Sequence, residues 1–513
     1  MRIDRRDNLR SLLELMRSPP PLGPHLLKAH SMGLALIVLL AAALRVWGIE
    51  GQSFWYDEYL TRTHVSQGFG DMLESIAETE GTPPPYYVIA WLWAKAFGTG
   101  EVGLRSLSAL LGIATVPVVY AGVCQIASKR AALVAASLVA TSPFLVWYSQ
   151  EARSYALAVL LAAVSFAFFA RAVRHPSREV LMGWAAASAF AVATHYLAGL
   201  LVASEAALLL ILLWERRRQV VVATGAVALL VLALIPLASS SGSPPAQWIR
   251  DLPFDERLIQ VPLLFGVGNS YPAEPAVIAV ALLGAVVPSL LLIRADADER
   301  NAAGLAFAAF AGGTALALLA PALGVDYIVA RYLLPLWVPL AATVAIGLGS
   351  RRAGLLGAGA TVALCGLWTA MAIEVKRDDS VQRIDWRAAA ELIRERNERL
   401  IVVPARPPDR PHVQALLSYL EGVQVQDSAT TNRVAEVVVL SYEGSPRGRL
   451  CYWGAACWLS SPTEPDVQLP GQFRLIERDS QGRFTASRYR SPRQVEISLP
   501  FTDDTAILLQ AGF

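Results

Sequence analysis

Apolar runs of near-spanning length recur along most of this chain, and that repetition restricts it to a bundle of membrane helices before any motif is read. Runs near the roughly 20 residues that a helix needs to cross a bilayer occupy 30–48, 104–125, 131–148, 152–173, 180–196, 197–214, 219–238, 273–293, 302–320, 332–349 and 353–373. Composition agrees. Of 513 residues, 54% are hydrophobic and 17% charged, and the mean hydropathy is +0.43. A net charge of +2 supplies no global field for nucleic acid.

Loop chemistry orients the runs. Arg2, Arg5, Arg6, Arg10, Arg17 and Lys28 precede the first, which reads as an anchor and not a cleavable signal. Ser128-Lys129-Arg130, Arg171 to Arg178, Glu215 to Arg218, Arg294 to Arg300 and Arg351-Arg352 are short and mostly basic, hence cytoplasmic. Pro83 to Phe97 is apolar but short, opens on three prolines and is rich in Trp and Tyr. Read as an interfacial or re-entrant helix, it leaves every basic loop inside. The expectation is a polytopic α-helical membrane protein of about 11–13 transmembrane helices with a C-terminal extracytoplasmic α/β domain, in the plasma (inner) membrane. Its parts are a cytoplasmic segment 1–29, a membrane domain 30–375 with a first external loop 49–103, and a tail 376–513.

In the tail, Asp385 to Arg399 and Val413 to Leu420 read as helices. Leu400 to Val403, Ala435 to Leu440 and Phe473 to Ile476 read as strands. No phosphate loop or catalytic signature occurs there, so a packing or recognition role is expected. Cys451 and Cys457 suit a disulfide outside the cytoplasm. Cys124 and Cys365, in apolar runs, read as core residues.

This topology collects ionisable residues on the external side: Asp57, Glu58, Arg62 and His64, then Glu151 and Arg153, His195, and Arg331-Tyr332. Such groups at a membrane boundary are costly unless paired or facing a cavity, so several on one face point to a shared site. For Glu151 a simple pairing with Arg153 is the plainer alternative to a place in that site. A lipid-linked phosphate substrate suits the set. A loop carboxylate accepts a proton from an attacking hydroxyl or amine, and arginines, or a divalent metal with Glu58 and Glu151 as candidates, oppose the departing phosphate. The aromatic-rich segment Ser239 to Tyr271 is expected to roof the cavity.

The ordered motifs are Phe54-Trp55-Tyr56-Asp57-Glu58, Thr82-Pro83-Pro84-Pro85-Tyr86-Tyr87, Glu101 to Leu110, Ser142 to Tyr155, Thr194-His195-Tyr196, Arg331 to Pro335 and Asp385-Trp386-Arg387. Together they resemble the C-type membrane glycosyltransferases that use polyprenyl-phosphate sugars, in the protein O-mannosyltransferase and lipid A aminoarabinose transferase branch. The resemblance implies Asp57 as general base and Glu58 beside it in acceptor or metal contact. It implies Glu151 as a second acid near the donor, with Arg62, Arg153, His195, Arg331 and Tyr332 as donor and phosphate contacts. Thr82 stands where the family usually has His. The implied partners are a polyprenyl-phosphate sugar donor, membrane lipids, and a lipid, protein or polysaccharide acceptor. A lipid-sugar flippase, a non-catalytic lipid-binding scaffold and an oligosaccharide transferase stay open as other readings.

Overall fold

Each apolar run is helical in the computed structural model. It describes residues 24–80, 82–240, 249, 253–269, 273–378, 382–393, 399–404, 410–420, 423–425, 431–443, 467–498 and 505–510. The runs become the helices Pro24–Val46, Glu101–Ile126, Lys129–Thr141 with Pro143–Tyr148, Tyr155–Arg174, Arg178–Thr194, Ala198–Leu212, Arg217–Ser240, Glu274–Arg294, Ala297–Leu319, Trp337–Leu348 and Gly354–Arg377. Among the described residues seven helices are long and apolar enough to cross a membrane in one piece. The other runs yield shorter or broken helices. The chain is a multi-pass membrane protein.

One break shows how the bundle deals with an interrupted helix. Lys129–Thr141 stops at Ser142, and Pro143 opens the helix Pro143–Tyr148. Proline has no N–H for the carbonyl four residues back, which is that of Val139. Arg45 of the first helix supplies the donors. Its Nη2 reaches Val139 O at 2.9 Å and its Nη1 reaches Ala140 O at 2.9 Å. Its Nε donates to Ser149 Oγ at 3.2 Å. The fit depends on Gly112, where a Cβ would lie 2.2 Å from Ser149 Oγ and 2.9 Å from Arg45 Nε.

The segment Pro83 to Phe97 contains the helix Pro85–Phe97, which is about 20 Å long at 1.5 Å per residue and too short to span. Trp93 Nε1 donates to Gly103 O and Ser106 Oγ, both at 3.0 Å, tying it to the next helix. A second irregularity lies in Glu274–Arg294. A π turn, Leu282–Val286, contains Gly284, whose carbonyl faces the missing N–H of Pro288.

By packing, the chain divides into two units, Met1–Ile49 with His64–Val375 and Glu50–Thr63 with Lys376–Phe513. The segment 50–63, read above as part of the first external loop, therefore belongs with the tail. That second unit is built on a six-stranded sheet in the order β2-β6-β1-β3-β5-β4. Its strands are β1 Arg399–Pro404, β2 Val423–Val425, β3 Thr431–Tyr442, β4 Arg474–Gln481, β5 Phe484–Ser498 and β6 Thr505–Gln510. β1 and β3 run parallel; the other pairs are antiparallel. Alternation sends Leu400, Val402, Val437 and Val439 to one face with Phe473 and Ile497. Ile401, Val403, Val438 and Leu440 go to the other, under Trp386, Ile393 and Leu416.

Two tail expectations need correction. The helix read over Asp385 to Arg399 is Trp386–Leu392, capped by Asp385, whose side chain accepts from Ala388 N. Arg399 instead begins β1 as a fully buried residue, donating to the Ile393 carbonyl and to Glu436 at 3.2 Å. Its buried charge requires Glu436 and Gln510, which lie in the sheet and not on a helix face. The second helix is a 3-10 segment, Arg410–Ser418. Cys124 and Cys365 are only partly buried, not core residues. Cys451 and Cys457 lie outside the described residues.

Replacing Arg45 by Leu leaves two carbonyls without their donors, at about 1–3 kcal/mol each. A lowered unfolding midpoint in detergent or nanodiscs is the expected result, and Gly112→Val is expected to match it. An unchanged midpoint for Arg45→Leu would show that the carbonyls find other donors.

Candidate functional site

The sequence Ser149-Gln150-Glu151-Ala152-Arg153-Ser154-Tyr155 has no repeating helical face because each side chain serves a different neighbour. Ser149 accepts from Arg45. Gln150 Nε2 donates to the carbonyls of Arg45 at 2.8 Å and Trp47 at 3.0 Å, completing the end of the first helix. Arg153 reaches out to Glu80, at the end of the helix Phe69–Thr79. Nη1 to Oε1 is 2.8 Å and Nη2 to Oε2 is 2.9 Å, a two-pronged contact. Tyr87 Oη donates to Glu80 Oε2 at 2.6 Å and accepts from Arg153 Nη1 at 2.9 Å. His64 Nε2 lies 3.7 Å from Glu80 Oε1, and Thr82 Oγ1 3.5 Å from Oε2. Burial alone would raise Glu80, but Arg153 and the hydrogen bonds from His64, Arg153 and Tyr87 outweigh it. The carboxyl is held far below its usual range.

Arg153 also belongs to a second cluster. His195 follows the helix Arg178–Thr194, with its ring 5.8 Å from Tyr155 and 5.3 Å from Tyr332. The Arg331 guanidinium lies 5.3 Å from the Tyr332 ring centroid. Desolvation pushes His195 down to about 4, and the charges of Arg153 and Arg331 push the same way. The imidazole is therefore neutral at physiological pH. Its Nδ1 is buried without a hydrogen-bond partner among the described residues. Arg331 and Tyr332 sit on the 3-10 segment Ala330–Leu336. Leu333 and Leu336 of that segment, with Ile328 before it, help wall a cavity of about 550 Å³. Phe265, Trp337, Trp368, Gly284 and Ala285 line it further, and Thr314 is the one hydroxyl-bearing residue among its walls. The expected roof segment thus contributes a wall, through Leu258, Val261, Pro262 and Phe265 of the helix Phe254–Val267.

In the other unit, Asp57 and Glu58 occupy the first turn of the helix Tyr56–Ser66, where the helix dipole favours carboxylates. Asp57 is partly buried and Glu58 fully buried. Arg383 approaches Glu58 Oε2 at 3.9 Å, with its guanidinium 4.1 Å from the Trp55 ring centroid. Arg62 donates to the Ser418 carbonyl at 2.5 Å.

The structure thus brings Arg153, His195, Arg331 and Tyr332 together. Glu151 is buried in the turn before them, its carbonyl accepting from Arg153 N at 2.8 Å. Arg153 forks onto Glu80 at the end of the helix Phe69–Thr79. Arg62, expected at phosphate, donates to the carbonyl end of the 3-10 segment Arg410–Ser418. Glu80 and Arg383 were missed. Each had a signal: Glu80 is the last acid before Thr82-Pro83-Pro84-Pro85, and Arg383 stands two residues before Asp385-Trp386-Arg387. Among the described residues no three His, Cys, Asp or Glu side chains gather where they could hold a metal ion.

With this geometry in view, residues 81–241 match the family of dolichyl-phosphate-mannose-protein mannosyltransferases. The fold is that of the C-type membrane glycosyltransferases, and the resemblance carried by the motifs holds. ArnT from Cupriavidus metallidurans, in its apo state, is similar at 14% identity and a TM-score of 0.51, over 76% of this chain and 85% of that one. AglB, the oligosaccharyltransferase of Archaeoglobus fulgidus, is similar at 14% identity and a TM-score of 0.45, over 72% of this chain and 58% of that one. The S. cerevisiae protein O-mannosyltransferase complex, bound to its sugar donor, gives 17% and 0.34, over 44% of this chain. This chain spans 34% of that yeast chain. No curated protein sequence matches it.

Both shifted groups bind fewer protons folded than unfolded, so each adds stability at higher pH and loses it with acid. For His195 the contribution is complete above 6.5 and fades as pH falls toward about 4. For Glu80 it is complete above 4.5 and fades at lower pH. Unfolding midpoints measured from pH 7 to pH 4 are expected to lose part of their slope in His195→Gln and to keep it in Glu80→Gln. Equal slopes in wild type and His195→Gln would contradict a neutral buried imidazole.

Proposed function

We propose that the chain is an inverting glycosyltransferase that moves a sugar from a polyprenyl-phosphate donor to an acceptor at the outer face of the plasma membrane, with the N-terminus cytoplasmic and the tail outside. The observation that carries this reading is the apolar cavity whose wall continues into the segment bearing Arg331 and Tyr332. A space lined almost wholly by hydrocarbon suits a lipid chain, and cationic side chains at its margin suit the phosphate that ends it.

The chemistry is a single displacement. Asp57 takes the proton from an acceptor hydroxyl or amine as that atom attacks the anomeric carbon. The bond from that carbon to the phosphate oxygen breaks, and polyprenyl phosphate leaves with the electron pair. Position is what makes Asp57 competent as a base. Arg153 and Arg331 oppose the charge that develops on the phosphate. Glu80 keeps Arg153 from swinging, while neutral His195 and Tyr332 offer hydrogen bonds without adding charge. Holding both substrates at one interface lowers the entropic barrier. Glu58, fully buried beside Asp57, supports that turn of the helix.

Purified protein in nanodiscs, incubated with a panel of polyprenyl-phosphate monosaccharides, is expected to release polyprenyl phosphate. Asp57→Asn is expected to lower release by roughly 10²–10⁴-fold with donor binding and unfolding midpoint unchanged. Saturable donor binding without release in wild type would point to a lipid-binding scaffold. No binding would favour a flippase. Arg331→Ala is expected to raise the donor KM and leave the acceptor KM alone; equal increases would make Arg331 a scaffold residue.

A further inference from the structure

The tail's hold on residues 50–62 is more directed than domain packing requires. Ser53 Oγ donates to Ile384 O and accepts from Trp386 N, both at 2.9 Å. Phe54 N donates to Tyr419 Oη at 2.6 Å. Arg387 Nη2 donates to the carbonyls of Glu50 at 2.9 Å and Gln52 at 3.3 Å. On the far side of the acidic pair, Arg62 donates to Ser418 O. The chain on either side of Asp57-Glu58 is therefore tied to groups more than three hundred residues later. Arg383 reaches the acidic pair's own side chains, with Nη1 3.9 Å from Glu58 Oε2. Glu58 has 0% exposure, and a carboxylate so placed is unfavourable unless a cation and donors face it.

We infer that Arg383 is a positioning residue for the reaction proposed above, orienting Glu58 by charge and Trp55 by stacking, so that the C-terminal domain is a working part of the active site. Trp55 and Glu58 bracket Tyr56-Asp57 in sequence. One guanidinium that lies over the indole and beside the carboxylate fixes both ends of that stretch at once. A planar delocalised cation suits this double task, and a lysine ammonium can meet only its charged half. The inference rests on the transferase reading and adds to it a role for the tail.

The test uses the full chain in nanodiscs and the donor found active above. Arg383→Gln is expected to lower kcat about tenfold or more, a change worth about 1.4 kcal/mol per decade, with the donor KM unchanged. Arg383→Lys is expected to recover part of the loss, and it carries the comparison if the glutamine variant unfolds. A double-mutant cycle separates positioning from general stability. If Arg383 acts through Glu58, then Glu58→Gln with Arg383→Gln is no slower than Glu58→Gln alone. Wild-type kcat in Arg383→Gln, or fully additive losses in the cycle, would overturn the inference. A wild type that never releases donor lipid would instead overturn the transferase reading, and the two failures are distinct.

Discussion

The two-pronged contact between Arg153 and Glu80 is what organises the polar side of the helical unit. Charges are scarce in this chain, and a cation near lipid is tolerated only where a partner is fixed. Arg153 stands in a turn whose neighbours, Ser149 and Gln150, complete the end and the interior of the first helix. Glu80 ends the helix Phe69–Thr79 and gathers Tyr87 and His64. One ion pair thus locks the short helices Phe69–Thr79 and Pro85–Phe97 to the spans while leaving Arg153 close enough to help depress His195. Removing either partner would strand a desolvated charge, a larger penalty than the pair's net contribution.

Arg45 solves a related problem in a different place. There the unsatisfied groups are backbone carbonyls released by Pro143. In the tail, Arg399 and Arg490 converge on Glu436 at 3.2 and 2.7 Å, fixing a sheet whose edge strand β4 is exposed along its length. In each case arginine is used because its fork of donors can satisfy several acceptors at once.

The spans were legible because lipid burial leaves hydropathy as a nearly sufficient signal. The breaks were partly hidden. Pro143 is visible in the sequence, but its compensation by Arg45 involves a residue almost a hundred positions away. The acidic pair Asp57-Glu58 stood out through its aromatic flanks, and Arg331, Tyr332, Arg153 and His195 through their place at span ends. Glu80 escaped because it lies 73 residues before Arg153, and nothing in its own sequence surroundings points to that partner. Arg383 escaped for a similar reason: its meaning depends on Trp55 and Glu58 at the other end of the chain. The tail helix was drawn too long because Arg399 resembles a solvated helix residue until its buried partners are known.

The segment 50–63 leaves the ribosome early, yet the groups that hold it are made more than three hundred residues later. Contacts of such long sequence separation form late, after the entropy of closing a very large loop has been met. During synthesis the acidic stretch must wait, unfinished, until the tail has folded. A chain stalled or cut short in synthesis would then carry its spans and its carboxylates but not their final arrangement. Maturation of this protein is accordingly expected to be limited by arrival of its C-terminus, so that activity appears only in chains that have been made to the end.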